Sequence, residues 1–281
     1  MRSGAIFDLP GPRGKLIIRV VTTISLAGIA VLLYFAYLQF RDSGQLNPDR
    51  WEYFTRDTTV VFLANGFKRT AIAASWSALI ALPLGLLLAI GRLSRRTWLR
   101  WPATGVIEFF RGIPLLLIVY VFLFVLPGYG FNPDKLWKLV IPIALCAAAT
   151  IAEVFRAGIL ALPAGQSEAG AAVGMTDSQV FWSIVLPQAV RIVIPSLVSN
   201  VVILLKDTTL GYVVSYSELM QSARQLSAYT HLLIQPYLII AVFYVVLNCL
   251  ISYGARALDA RMAAGLFGKD AKAKARALDI G

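Results

Sequence analysis

Apolar stretches of about 20 residues recur along this chain, and about 20 helical residues cross the roughly 30 Å hydrocarbon core of a bilayer. They fall at 17–38, 66–90, 107–127, 137–160, 190–205 and 235–255. The fifth is the shortest, because Pro195 interrupts it and Lys206-Asp207 ends it. With 58% hydrophobic and 15% charged residues among 281, the chain has too few polar groups to cover several such helices in water. Lipid must cover them. The expected fold is an all-α membrane protein, a six-helix transmembrane bundle.

The first run resembles a secretory signal only in its basic approach, Arg13, Lys15 and Arg19. It is longer than the roughly 7 to 15 apolar residues of a signal, and Tyr-Leu-Gln-Phe-Arg follows it where small residues would mark a cleavage site. It is read as a retained helix. Cys146 and Cys249 both lie inside apolar runs, so neither a disulfide framework nor a metal site is indicated.

The formal charge of +11 is concentrated in blocks beside the apolar runs, without an aromatic platform for nucleic acid. Arg2, Arg13, Lys15 and Arg19 precede the first helix, Arg92, Arg95, Arg96 and Arg100 follow the second, and Arg256, Arg261, Lys269, Lys272, Lys274 and Arg276 populate the tail. Six crossings put all three blocks on one side, which the excess of basic residues in cytoplasmic loops makes the inside. Both termini are then cytoplasmic in a bacterial plasma membrane. Lys135 and Lys138 stand against this pattern on the outer side.

One long segment, 162–187, is neither strongly apolar nor external. It reads Glu168-Ala169-Gly170, three residues, Gly174, nine residues, then Ile184-Val185-Leu186-Pro187. A short helix set across the membrane plane can fit a cleft in a soluble partner. Small residues allow close approach, Gly174 permits a turn, and Pro187 is expected to break the second short helix before the next span. This spacing resembles the signature of bacterial ABC-importer permeases, in which Glu-Ala-Ala, a glycine and Ile-x-Leu-Pro form the cytoplasmic coupling helices. The departure is Gly170, where that family usually has alanine.

The resemblance narrows to the polar amino acid permeases through further segments. They are Asn65-Gly66 with Thr70, Glu108 to Leu115, Ile151 to Arg156, Pro163 to Gln166, Leu186 to Arg191 and Leu205 to Leu210. It covers residues 60–255 and implies a five-helix core with an extra N-terminal helix, an architecture similar to the longer glutamate permease subunit of actinobacteria. The domains expected are 1–60 (tail, extra helix and external loop), 61–255 (the permease domain, with its coupling loop) and 256–281 (a basic tail). The resemblance implies that Glu168, Ala169, Gly170, Gly174, Ile184, Leu186 and Pro187 couple to an ATPase. It further implies a cytosolic ATPase dimer, a second permease subunit and an external amino-acid-binding protein as partners.

Charges within a membrane need a partner or a wet cavity. Glu108 and Arg111, and Glu153 and Arg156, stand three apart on expected helices and can pair. The favoured reading is interfacial ion pairs that fix an inner gate or anchor the coupling loop, ahead of substrate contact. Gly112 and Pro114 are expected to kink the third helix. Lys206, Asp207 and Thr208, towards the external half, are substrate-pathway candidates. Lys206 either meets a substrate carboxylate or pairs with Asp207 or a neighbouring helix.

The sequence has no Gly-x-x-x-x-Gly-Lys-Ser/Thr phosphate loop and a single histidine, His231. The chain is expected to bind no cofactor and to catalyse nothing, with ATP-Mg held by the partner ATPase. Glutamate is the first-choice substrate. The rivals are an ion-coupled secondary transporter, which would need an internal repeat that this sequence lacks, and a membrane enzyme.

Overall fold

The computed structural model describes residues 11–254. The basic tail at 256–281 and Arg2 lie outside the described residues. Among those described, every regular element is helical. The chain divides into two compact units at Arg56 and Asp57.

The first unit holds α1 (Pro12–Asp42) and α2 (Pro48–Thr55). α1 has no buried residue and its apolar side chains point outwards all round. A helix apolar on every side is suited to lipid. Its end is tied to α2 locally, where Trp51 donates from Nε1 to the carbonyl of Gln45 at 2.8 Å.

The second unit begins with α3 (Asp57–Leu93) and includes α6 (Lys135–Leu160), α9 (Leu186–Asp207) and α11 (Ile234–Gly254). α3 buries Thr70, Ala74, Ser77, Ala81, Gly85 and Ala89, small residues recurring about every fourth position and so on one face. Against this face lie Ala148, Ile151 and Ala152 of α6 in a common core. A Cβ on Gly85 would sit 2.6 Å from Ile151 Cγ2 and 3.0 Å from the Ala148 carbonyl. Apolar burial adds little between helices in lipid, so close packing of small residues carries the association. α6 meets α9 in the same way, since a Cβ on Gly158 would collide with Val193 Cγ1.

Three expectations from the sequence change here. The second span starts at Asp57, not at residue 66. The third is not one kinked helix. α4 (Thr97–Gly112) and α5 (Leu115–Tyr120), the latter continued to Tyr129, are turned 99° from each other at Ile113-Pro114. Ile113 precedes a proline and is held extended (φ −99°, ψ 131°), which ends α4 outright. Lastly, Pro187 does not break its helix. α8 (Asp177–Val180) runs through a π turn, Phe181–Val185, into α9, giving one helical span from Asp177 to Tyr212. Pro187 forgoes one backbone hydrogen bond inside this span, and the π turn before it absorbs the clash of its ring.

Among the described residues, five helices are long and apolar enough to cross a membrane, or up to six spans when the bent α4–α5 pair counts as one.

A Gly158→Val variant should lose about 1–3 kcal/mol of stability through overpacking, measured by denaturation of the purified protein in detergent. Adding Val193→Ala should recover most of that loss.

Candidate functional site

Three clusters carry the residues singled out in the sequence. The first is the hairpin between α6 and α9. α7 (Ala164–Ala172) ends at Gly174, whose φ of +81° lies in the left-handed region where a side chain would be strained. Thr176 then starts α8 with a capping box, its hydroxyl accepting from the Gln179 N–H while the Gln179 side chain accepts from the Thr176 N–H. Gly170 is buried against α8, and a Cβ there would lie 2.8 Å from Val180 Cγ2 and 2.9 Å from Ile184 Cδ1. Glycine in place of the usual alanine thus serves close packing between the two short helices. Gln188 donates to Gln166 Oε1 at 3.2 Å, closing the hairpin onto α9. Glu168 and Ala169 are exposed, as are Val173 and Trp182, whereas Leu186 is buried and Ile184 half-buried. The motif therefore divides into residues that build the hairpin and residues that face outwards from it.

The second cluster is a ladder of charges. Arg156 pairs with Glu153 at 2.9 Å and Arg111 with Glu108 at 3.9 Å, the two helical pairs foreseen from spacing. Between them stands Arg92 of α3, with Nη1 at 2.8 Å from both Glu108 Oε1 and Glu153 Oε1. Arg92 and Glu153 are largely shielded from solvent and Glu108 is half exposed, so the Arg92–Glu153 contact is the least screened of the set. The sequence assigned Arg92 to loop topology alone. Only the fold brings it to the two carboxylates and ties α3, α4 and α6 together. Gly112 and Pro114 flank the 99° turn beyond this ladder.

The third cluster follows the C-terminal half of α9. Lys206 lies 20 residues beyond Leu186, about 30 Å along the helix, at the opposite end from the hairpin. Its side chain is exposed and no salt bridge reaches it among the described residues, while Asp207 is half-buried. Thr208 stands apart from them. It is fully buried and its hydroxyl donates to the Leu205 carbonyl at 2.7 Å, which ties down the helix end. Exposed Ser196 and Ser199, with half-buried Asn200, precede Lys206 at helical spacing and extend an open polar stripe down α9. Sequence reasoning missed these three because isolated Ser and Asn in an apolar run give no charge signal.

Glu218 was missed too. It is fully buried at the N-cap of α10 (Leu219–Thr230), accepting from the Met220 and Gln221 N–H groups at 2.7 and 2.6 Å. The Thr70 hydroxyl accepts from the Leu219 N–H at 3.1 Å, and Gly66 leaves room for Ser222, so Gly66 and Thr70 dock α10 onto α3. Burial pushes the Glu218 carboxyl up to about 7, although its two backbone N–H donors oppose the shift. Among the described residues, no cluster of side chains could hold a metal ion.

A matching model spans residues 81–264, the family described as binding-protein-dependent transport system inner membrane component. This chain belongs to that family of multi-pass membrane transport subunits. Among the relatives it is similar to is the glutamate transport system permease protein GluD of Corynebacterium glutamicum, 34% identical over 83% of this chain and 86% of that protein. The probable glutamine ABC transporter permease protein GlnM of Bacillus subtilis is 36% identical over 70% of this chain and 92% of its own length. A solved structure described as an amino acid ABC transporter with histidines superposes with a TM-score of 0.69 at 27% identity, covering 73% of this chain and 95% of that one. The class expected from the motif residues and the all-helical fold are thus the ones found.

The Glu218 result has a pH consequence. The folded state holds this proton more tightly than the unfolded chain, so the stabilisation is in place below about pH 4.5 and is lost as pH rises through about 7. Between about pH 5 and about pH 8 the Tm of Glu218→Gln should fall less than that of the wild type.

Proposed function

We propose that this chain is the permease subunit of an ATP-driven importer that carries a polar amino acid, glutamate, across the plasma membrane. It pairs with a second permease subunit, sits on a cytosolic ATPase dimer that holds ATP-Mg, and receives substrate from an external amino-acid-binding protein. The observation that carries this reading is the α7–α8 hairpin. Its buried half, Gly170, Val180, Ile184 and Leu186, holds it rigidly on the bundle, while Glu168, Ala169 and Val173 are left facing outwards. An exposed apolar side chain beside an exposed carboxylate, on a hairpin continuous with a membrane-crossing helix, suits a surface that receives force from a soluble partner.

ATP-driven closure of the ATPase pair would then move the hairpin, and the unbroken Asp177–Tyr212 span would carry that movement to Lys206 at the other end. The ladder through Arg92 keeps α3, α4 and α6 moving as one body at the inner end, which makes it the inner gate. The polar stripe of Ser196, Ser199, Asn200 and Lys206 cannot face hydrocarbon cheaply. It faces the second permease, with a wet pathway between the two, and Lys206 offers its ammonium to a carboxylate of the passing amino acid. Glutamate is favoured because GluD, which matches over most of both chains, is a glutamate permease protein. In this assembly 61–255 forms the permease domain, both termini are cytoplasmic, and the chain performs no catalysis of its own.

Two measurements on the complex in liposomes test this reading. With glutamate-loaded binding protein, ATP hydrolysis should rise for the wild type and stay at its basal rate for Glu168→Lys, with the ATPase still co-purifying. Uptake that follows an ion gradient without any ATPase would sink the proposal. Lys206→Gln should cut glutamate uptake several-fold while leaving the rise in hydrolysis in place, and unchanged uptake would remove Lys206 from the pathway.

A further inference from the structure

α4 packs against the end of α3. Leu99 and Ala103, one turn apart on α4, meet Gly91 of α3. A Cβ on Gly91 would lie 2.9 Å from Ala103 Cβ and 3.8 Å from the Leu99 carbonyl, and Arg92 pairs with Glu108 at 2.8 Å. α4 is turned 99° from the apolar segment that follows it, Leu115–Tyr129. With that segment crossing the membrane, α4 lies near the membrane plane, where α3 leaves the bilayer.

The two faces of α4 match that position. Ala103 and Ile107 are buried against the bundle, while Val106 and Phe109 are exposed and Trp98 and Trp101 are each 67% exposed. Arg95, Arg96 and Arg100 are exposed around its first turn. Of these, Arg95 approaches Asp177 at 3.8 Å, with both side chains 93% exposed, so solvent screens the pair. Arg96 and Arg100 form no salt bridge among the described residues. Exposed tryptophans beside unpaired arginines, on a helix in the membrane plane, suit the headgroup boundary, where indole rings settle and basic side chains meet anionic lipid.

We propose that α4 is an interfacial helix that binds anionic phospholipid headgroups through Arg95, Arg96 and Arg100, with Trp98 and Trp101 seated at the headgroup boundary. The inference rests on the cytoplasmic orientation proposed above, because the inner leaflet is the anionic one. Glu108, at the far end of α4, pairs with Arg92, so lipid holding α4 also positions the charged ladder at the inner end of α3 and α6.

The test uses the assembled transport complex in phosphatidylcholine vesicles, with spin-labelled phosphatidylglycerol or phosphatidylcholine as the probe. Wild type should immobilise the anionic probe in preference to the neutral one. R95Q/R96Q/R100Q, which removes three charges at the anionic surface, should abolish that preference, and R95K/R96K/R100K, which keeps the charge, should retain it. A wild-type preference in the glutamine variant would overturn the proposal. So would release of the ATPase by that variant with lipid preference unchanged, since the surface would then dock a protein. A separate arm places S94C in a C146A/C249A background and labels it with a membrane-impermeant thiol reagent. Labelling from the cytoplasmic side alone is expected, and labelling from outside would overturn the orientation and with it the assignment of the lipid leaflet.

Discussion

The close approach of α3 and α6 is the constraint on which the rest of the second unit depends. Gly85 has no room for a methyl group between Ile151 and the backbone of Ala148, so the two helices can meet only where both present small side chains. In lipid, where apolar area gains little by moving from solvent to protein, this shape match sets which helices pair and at what height. That height brings Arg92 level with Glu153, and from there the pairing with Glu108 follows. A shift of one turn, about 5.4 Å, would strand Arg92 away from both carboxylates.

The same packing turns local breaks into functional geometry. Ile113-Pro114 ends α4, and Gly91 lets α4 pack closely on the end of α3. The π turn at Phe181–Val185 does the opposite, carrying a helix through Pro187 without interruption. One proline thus makes a 99° corner and another leaves a continuous lever. The difference lies in what surrounds them. Ile113 is extended ahead of Pro114, whereas Pro187 follows a π turn that absorbs the clash of its ring.

Several features were legible in the sequence because their causes are local. Helices form where apolar residues run for about 20 positions, Gly174 turns because it tolerates a positive φ, and the two helical ion pairs follow from a spacing of three. Arg92, Glu218 and the Ser196–Ser199 stripe were not legible. Arg92 acquires its setting from Glu108 and Glu153, and Glu218 from Gly66 and Thr70, which dock α10 onto α3 from about 150 residues away. Thr208 follows Lys206-Asp207 directly, yet the helix tightens into a 3-10 turn there and Thr208 is buried, so adjacency in sequence did not mean a shared surface.

What the sequence by itself determined is the solvent, the class and the family. Apolar run length selects a membrane, and motif spacing along one short segment selects this kind of transport subunit. What only the tertiary structure decided is which charges meet, which polar residues stay open and which way α4 lies. Hydrophobic length is a property of consecutive residues, while the position of a charge depends on how closely two helix surfaces can approach. That distance is fixed by side chains more than 50 residues apart, such as Gly85 and Ile151, and no local pattern encodes it.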